Sequence, residues 1–286
     1  MEAGAFFKKL DSISDIPTLP SIVFKVNKML GDYDISIKKL AAVIEKDQAM
    51  VTRILKLVNS SFYGFRSRIN KIDYAVIILG FNTIRNAIVS LSIIKAFSGG
   101  KTREGFDIKD FWRHSIAVAV TSRYLSEQSK LDSPDDCFVA GLLHDIGKVI
   151  LAQHFSELFD RVWESVKMDG KSFYEAEQEL LPVNHAQIGG YLTKTWQFPD
   201  ALIDSIAYHH AIRKSVSGLN QLLIVHTADH LVNNRQGDSE TVPYLSPLHP
   251  EAKRLLFRQV ETVSDWFPNI ANEIESACEF FLEESS

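Results

Sequence analysis

The chain has 286 residues, 45% of them hydrophobic and 23% charged, which implies one or two globular cores and argues against disorder. A formal charge of −5 argues against a protein that coats nucleic acid by bulk electrostatics. Cys137 and Cys278 are far apart and lack CxxC spacing, so neither a disulfide framework nor a thiolate zinc site is expected, and a reducing cytoplasm fits.

Apolar residues recur at helical spacing almost throughout, and alternating strand patterns are scarce, so the spacing predicts an all-α fold. In chain order, "SIVFKVNKML" runs to a helix stop at Gly31, and Asp34 can cap "DISIKKLAAVIEK". Helices follow at 47–59, 70–79 and 81–97. The stretch "YAVIILGF" is the most apolar and far too short to span a bilayer. The N-terminus has no basic region followed by a long apolar run, so neither secretion nor membrane insertion is expected. "SGGKTREG" at 98–105 reads as a linker and sets a domain boundary.

Beyond it, the pattern predicts helices at 108–129, 135–152, 156–168, 171–181, 184–197, 199–210 and 218–234. Pro134, Pro182 and Pro199 lie near element starts, where a missing amide donor costs little. The polar, Pro-containing segment 233–250 reads as a surface loop, and Pro268 is expected to break or kink the closing amphipathic helix. The resulting partition is a helical subdomain at 1–100, a second domain at 106–234, and a loop and helices at 235–286 packing on the second domain.

Several polar residues sit where this pattern calls for apolar ones. His144, Asp145 and Lys148 interrupt "LLHDIGKVIL", with Gly141 and Gly147 three residues to either side of His144. Those glycines suggest a face stripped of bulk for an ion and its ligand, and Lys148 could point an ammonium at a bound anion. His114 shares a stripe with Phe111, Val118 and Leu125, and Asp110 precedes it by one turn. Asp229 shares a stripe with Leu222, Val225 and Val232. A buried carboxylate without a partner is costly, and a divalent cation removes the cost. His185 opens a helix behind its cap Asn184, and His209 and His210 end another. A mixed imidazole and carboxylate set calls for one or two divalent ions, with iron or manganese favoured and zinc or nickel as further candidates. His154, His230 and His249 read as ordinary hydrogen-bonded histidines, and the spacing leaves His226 open between the two roles.

The order His114, His144-Asp145, Asp229 resembles the HD superfamily of metal-dependent phosphohydrolases. The whole stretch from about residue 12 to about residue 234 is similar to its HDOD subgroup of bacterial signalling proteins. Motifs carrying the likeness include "IPTLPSIVFKVNKML", "LAAVIEKDQAMVTRILKLVNSSFYG" and "INKIDYAVIILGFNTIRNAIVSLSI". The resemblance implies a regulatory module, and in HDOD proteins part of the metal set is usually lost. Here the set departs toward the active side. His114, His144, Asp145 and Asp229 match the superfamily quartet, and His185, His209 and His210 match the extra ligands of the cyclic-dinucleotide phosphodiesterase branch called HD-GYP. Asp110 matches a third-ion or outer carboxylate of that branch, and Lys148 its substrate-contacting lysine. The Gly-Tyr-Pro stretch of that branch is absent, because "HHAIRKSVSGLN" passes straight into the next helix.

Two functions use these residues: a signalling module with a metal or metal-nucleotide site, and a metal-dependent phosphodiesterase or phosphohydrolase acting on a nucleotide or cyclic dinucleotide, in which Asp145 and Lys148 serve the reaction. The implied partners are a signalling protein or a phosphate-containing nucleotide. A third reading is nucleic-acid binding through the N-terminal helices, on Arg53, Lys56, Arg66, Arg68, Lys71 and Arg85; solvated basic residues on a helical bundle are the preferred explanation of that charge.

Overall fold

The expected helical content is realised throughout the computed structural model, which describes residues 2–17, 19–29, 37–60, 68–99, 103–236 and 248–283. Among the described residues every regular element is an α-helix, and the one β-type pairing is an isolated bridge between Arg103 and Phe106. Gly31, Asp34, Arg66 and most of the 233–250 segment lie outside the described residues.

By internal contacts the chain divides into two units, Met1–Pro17 with Gly100–Glu261, and Thr18–Gly99 with Thr262–Ser286. The break near residue 100 coincides with the Gly-Gly linker, whereas the two chain ends are distributed differently from the sequence partition. The N-terminal helix α1 (Ala3–Asp11) belongs to the later unit for a packing reason. Phe6 is fully buried and stacks on Phe155 with centroids 4.3 Å apart, and the Tyr191 hydroxyl donates to Asp11 at 2.7 Å.

The Thr18–Gly99 unit contains α2 (Ser21–Met29), α3 (Ile37–Ile44), α4 (Gln48–Val58), α5 (Ile72–Leu79) and α6 (Phe81–Phe97). Asp47 caps α4 by accepting from the Met50 amide at 3.0 Å. Arg85, one of the basic residues behind the nucleic-acid reading, is buried in α6 and donates to Asn86 at 2.7 Å, so it adds nothing to a surface patch. No single described helix is long and apolar enough to cross a membrane.

The other unit continues with α7 (Ile108–Ser129), α8 (Pro134–Leu143), α9 (Ile146–His154), α10 (Ser156–Asp169), α11 (Phe173–Leu180), α12 (His185–Thr195), α13 (Asp200–Ala207), α14 (Leu219–Gln236), α15 (Pro250–Leu255) and α16 (Phe257–Glu261). Their starts are set by side-chain caps: Asp107 on α7, Ser133 on α8, Ser172 on α11 and Asn184 on α12, the last two as full capping boxes. The core holds fully buried Leu142, Ile150, Phe159 and Val162, each stabilising by roughly 1.5–3 kcal/mol. Long α7 packs chiefly on α8 and α14, and α12 packs on α9 and α13.

Two expected elements differ. The helix expected at 135–152 is broken between Leu143 and Ile146: His144 keeps right-handed helical dihedrals, and Asp145, at φ −101° and ψ 6°, leaves them. The closing helix α17 (Val263–Glu283) is not broken by Pro268. Proline in the second turn removes a single ladder bond, and the buried face of Trp266, Ile270, Ala277 and Phe281 holds the helix through it.

Candidate metal centre

Five segments of one unit deliver the polar residues to one place. His114 comes from α7, His144 and Asp145 from the break between α8 and α9, and His185 from the first position of α12. His209 and His210 come from the turn after α13, and Asp229 from α14. Asp145 is 2% exposed and central. Its Oδ1 lies 3.0 Å from His185 Nε2 and 3.7 Å from His209 Nε2; its Oδ2 lies 3.3 Å from His144 Nε2 and 3.7 Å from His114 Nε2. Asp229 Oδ1 approaches His114 Nε2 at 3.2 Å and His144 Nε2 at 3.4 Å. His210 Nε2 lies 3.1 Å from His185 Nε2.

Two groups of donor atoms therefore share Asp145. One comprises Asp145, His185, His209 and His210, the other His114, His144 and Asp145, and in each all donor atoms fall within 4.8 Å of one another. Asp110, by contrast, is exposed on a cleft rim and belongs to neither group.

The buried histidines are tied down from behind. His144 Nδ1 donates to the Gly141 carbonyl at 2.7 Å, and His209 Nδ1 to the Ile206 carbonyl at 2.8 Å. His185 Nδ1 donates to Glu177 Oε2 at 2.5 Å, and the same carboxylate accepts the His185 amide at 2.9 Å. Carbonyl and carboxylate oxygens accept only, so Nδ1 carries a proton in each ring and Nε2 is the atom turned toward the carboxylates. His144 Nε2 and Asp145 Oδ1 are buried and make no well-formed hydrogen bond.

Electrostatics follow from burial against charge. Burial alone would lower the His144 pKa, but Asp145 and Asp229 outweigh it and push the ring up to about 10. Burial likewise opposes charge on His185, and Glu177 and Asp145 reverse the direction to a raised pKa. His209 goes the other way, lowered to about 4 chiefly by burial, and burial and the neighbouring imidazoles hold His210 well below the usual range. Burial works against ionised Asp145 and Asp229, yet the surrounding cations and imidazoles hold both carboxyls well below the usual carboxylate range. Two carboxylates held ionised in the core by imidazoles and an ammonium are a setting in which a divalent cation can take the place of the imidazole protons.

Lys148 is half-buried, donates to Asp145 Oδ2 at 2.6 Å, and lies over the Phe173 ring at 5.5 Å. Asp145, His114 and Lys148 form the floor of a cleft of about 560 Å³ walled by Phe106, Phe111, Phe159, Trp163 and Phe173. The glycines beside His144 do not clear this cleft, contrary to the role their spacing suggests. A Cβ on Gly147 would stand 2.0 Å from the His185 carbonyl, and one on Gly141 would stand 2.9 Å from Ala119 Cα. They allow α9 to approach α12 and α8 to approach α7.

Two contributors escape the sequence reading, and the role of a third is settled only by its contacts. Glu177 is fully buried, and its signal is the α11 face on which it joins Phe173, Ala176 and Leu180. Asn233 donates to Asp229 Oδ1 at 2.8 Å from one turn later on α14. His226, left open by its spacing, points away from the donor groups: its Nδ1 donates to the His209 carbonyl at 2.7 Å, and its Nε2 accepts the His249 amide at 3.1 Å.

An all-helical unit that gathers imidazoles and carboxylates from separate helices around one shared aspartate defines the class to which comparisons then assign the chain. The HDOD domain model matches residues 16–212, and the chain belongs to that family. Asp229 lies beyond the match, so its place in the cluster rests on geometry. An HDOD domain protein of unknown function from Geobacter sulfurreducens is 28% identical with a TM-score of 0.80, covering 96% of both chains. A provisional phosphohydrolase from Shewanella amazonensis SB2B shares the fold at 22% identity and a TM-score of 0.75, over 97% of this chain and 98% of its own. An uncharacterized protein of Treponema pallidum (strain Nichols) is 27% identical over 203 residues, which are 70% of this chain and 38% of that protein's length.

Proposed function

We propose that this chain is a signalling module whose Gly100–Glu261 segment holds two divalent cations and binds a phosphate-bearing nucleotide in the adjoining cleft. The observation that carries the reading is the common arrangement of His144, His185 and His209. Each gives its Nδ1 proton to a protein acceptor and turns its Nε2 inward, as metal-ligating histidines do. The donor set fits the ions: the orphaned His144 Nε2 and Asp145 Oδ1 are both buried and both face the cluster. His114, His144 and Asp229 would hold one ion, His185, His209 and His210 the other, and Asp145 both. Imidazole with carboxylate favours iron or manganese, then zinc or nickel.

Bound cations supply Lewis acidity toward a phosphoryl oxygen and acidify a water. The chain's own residues do the rest. Lys148 presents an ammonium on the cleft floor beside Asp145, where a phosphate oxygen would add to its contacts. Phe173 and Trp163, both part-exposed, offer ring faces on which a base stacks. Asp110 stands on the rim as an outer carboxylate. The cytoplasm and a signalling protein partner fit this role.

Turnover of the bound phosphodiester is a second reading, favoured by one observation: the cleft opens directly onto Asp145 and Lys148. The decisive experiment combines metal analysis of protein purified without chelator or nickel resin with binding and hydrolysis assays on cyclic dinucleotides and simple phosphodiesters, with and without iron or manganese. Two ions per chain and metal-dependent nucleotide binding are expected. A chain that takes up no divalent ion defeats the proposal, and hydrolysis abolished by Asp145→Ala makes it an enzyme.

A further inference from the structure

We infer that His226 is a positioning residue that fixes the His209–His210 corner, and through it the ion held by His185, His209 and His210; the inference rests on the two-cation reading above. Helix α13 ends at Ala207, so no helical ladder fixes the backbone of the two histidines that follow. The His209 ring is held by the Ile206 carbonyl, but its own main-chain carbonyl is held from α14, by the Nδ1 proton of His226 at 2.7 Å. The opposite ring nitrogen accepts the amide of His249, whose side chain in turn caps α15 by accepting from the Glu251 amide at 3.2 Å. A carbonyl on one side and an amide on the other leave a single ring state that satisfies both: neutral, with the proton on Nδ1. Burial is the main influence on His226, and it lowers the pKa, in keeping with a neutral ring. The ring thus clamps the end of α13 to the start of α15, with the metal-facing histidines on the clamped segment.

The two arms of the clamp separate by substitution. Asn places an amide donor near the Nδ1 position and retains the bond to His209, while Gln places its carbonyl near Nε2 and retains the bond to His249. Purified wild type, His226→Asn and His226→Gln are titrated with Mn2+ and with Co2+, whose absorption bands report ligand geometry, and their melting temperatures are compared. We expect two ions in the wild type, and in the Gln variant a loss of about 10- to 100-fold in affinity for one ion with an altered Co2+ spectrum. The other ion, on His114 and His144, stays at wild-type affinity, and the Asn variant stays within about threefold for both, by the same reasoning. Wild-type affinity for both ions in the Gln variant overturns the inference while leaving the two-cation reading intact. So do equal losses in both variants that track their melting temperatures. A wild type that binds no ion overturns both.

Discussion

Glu177 closes both hydrogen-bonding positions of His185 that face away from the cluster, taking the ring proton at 2.5 Å and the main-chain amide at 2.9 Å. A fully buried carboxylate with two bonds to one residue makes His185 the most constrained imidazole of the site. Such carboxylate–imidazole pairs orient a ligand ring and raise its basicity. Glu177→Gln keeps the shape and removes the charge. Calorimetric titration with Mn2+ is expected to show a loss of about 10- to 100-fold for the ion held by His185. Unchanged affinity would place Glu177 in a purely structural role.

Asp145 is the only residue common to both donor groups, so single substitutions should sort by position. Asp145→Asn is expected to lose both ions. His210→Ala should lose only the ion shared with His185 and His209, and His114→Ala only the one shared with His144. Metal content per chain after gel filtration checks the pattern. One ion in the wild type, lost in all three variants, would mean a single mononuclear centre.

Proton competition gives a pH dependence with a definite sign. In the metal-free chain His144 is pushed up to about 10 by Asp145 and Asp229, so it is protonated at neutral pH. A cation on Nε2 must displace that proton. Apparent affinity should therefore rise with pH between about 6.5 and 10, by up to tenfold per unit for each proton displaced. The linked folding term runs oppositely. A raised folded-state pKa stabilises the metal-free chain fully below about 6.5, and that stabilisation fades as pH rises through about 10. Metal titrations in buffers of different ionisation enthalpy measure the protons released, and none released would contradict the argument.

Helices and the inward polar faces were legible because each rests on local spacing. The bounds of α7 coincide with the expected 108–129, and the stripes through His114 and Asp229 correctly turned both residues inward. The break at His144 was not legible, since the apolar pattern of "LLHDIGKVIL" continues across it while the polar pair turns toward partners distant in sequence. Glu177 was hidden among Glu175, Gln178 and Glu179, which all favour a solvated face; only its place on the face of Phe173, Ala176 and Leu180 sets it apart. His226 could not be resolved because both its partners are main-chain groups on other segments, and main-chain groups leave no mark in residue identity.

Gly147 carries the last prediction, because it separates packing from chemistry at the same spot. Its Cα faces the first residue of α12 so closely that an added methyl would stand 2.0 Å from the His185 carbonyl oxygen. That oxygen belongs to the main chain, so no side-chain rotation relieves the clash, and either α9 or α12 must move. Overpacking of this kind costs about 1–3 kcal/mol and occasionally more. Gly147→Ala should therefore lower the melting temperature of the metal-free protein. It should also weaken the ion on His185, because the displaced backbone carries that ring. Gly170→Ala is a useful contrast: it has open space around the added methyl and strain only from its φ of 65°, so it should leave metal binding untouched. A Gly147→Ala protein with wild-type stability and metal content would show that α9 and α12 are not packed as closely as described.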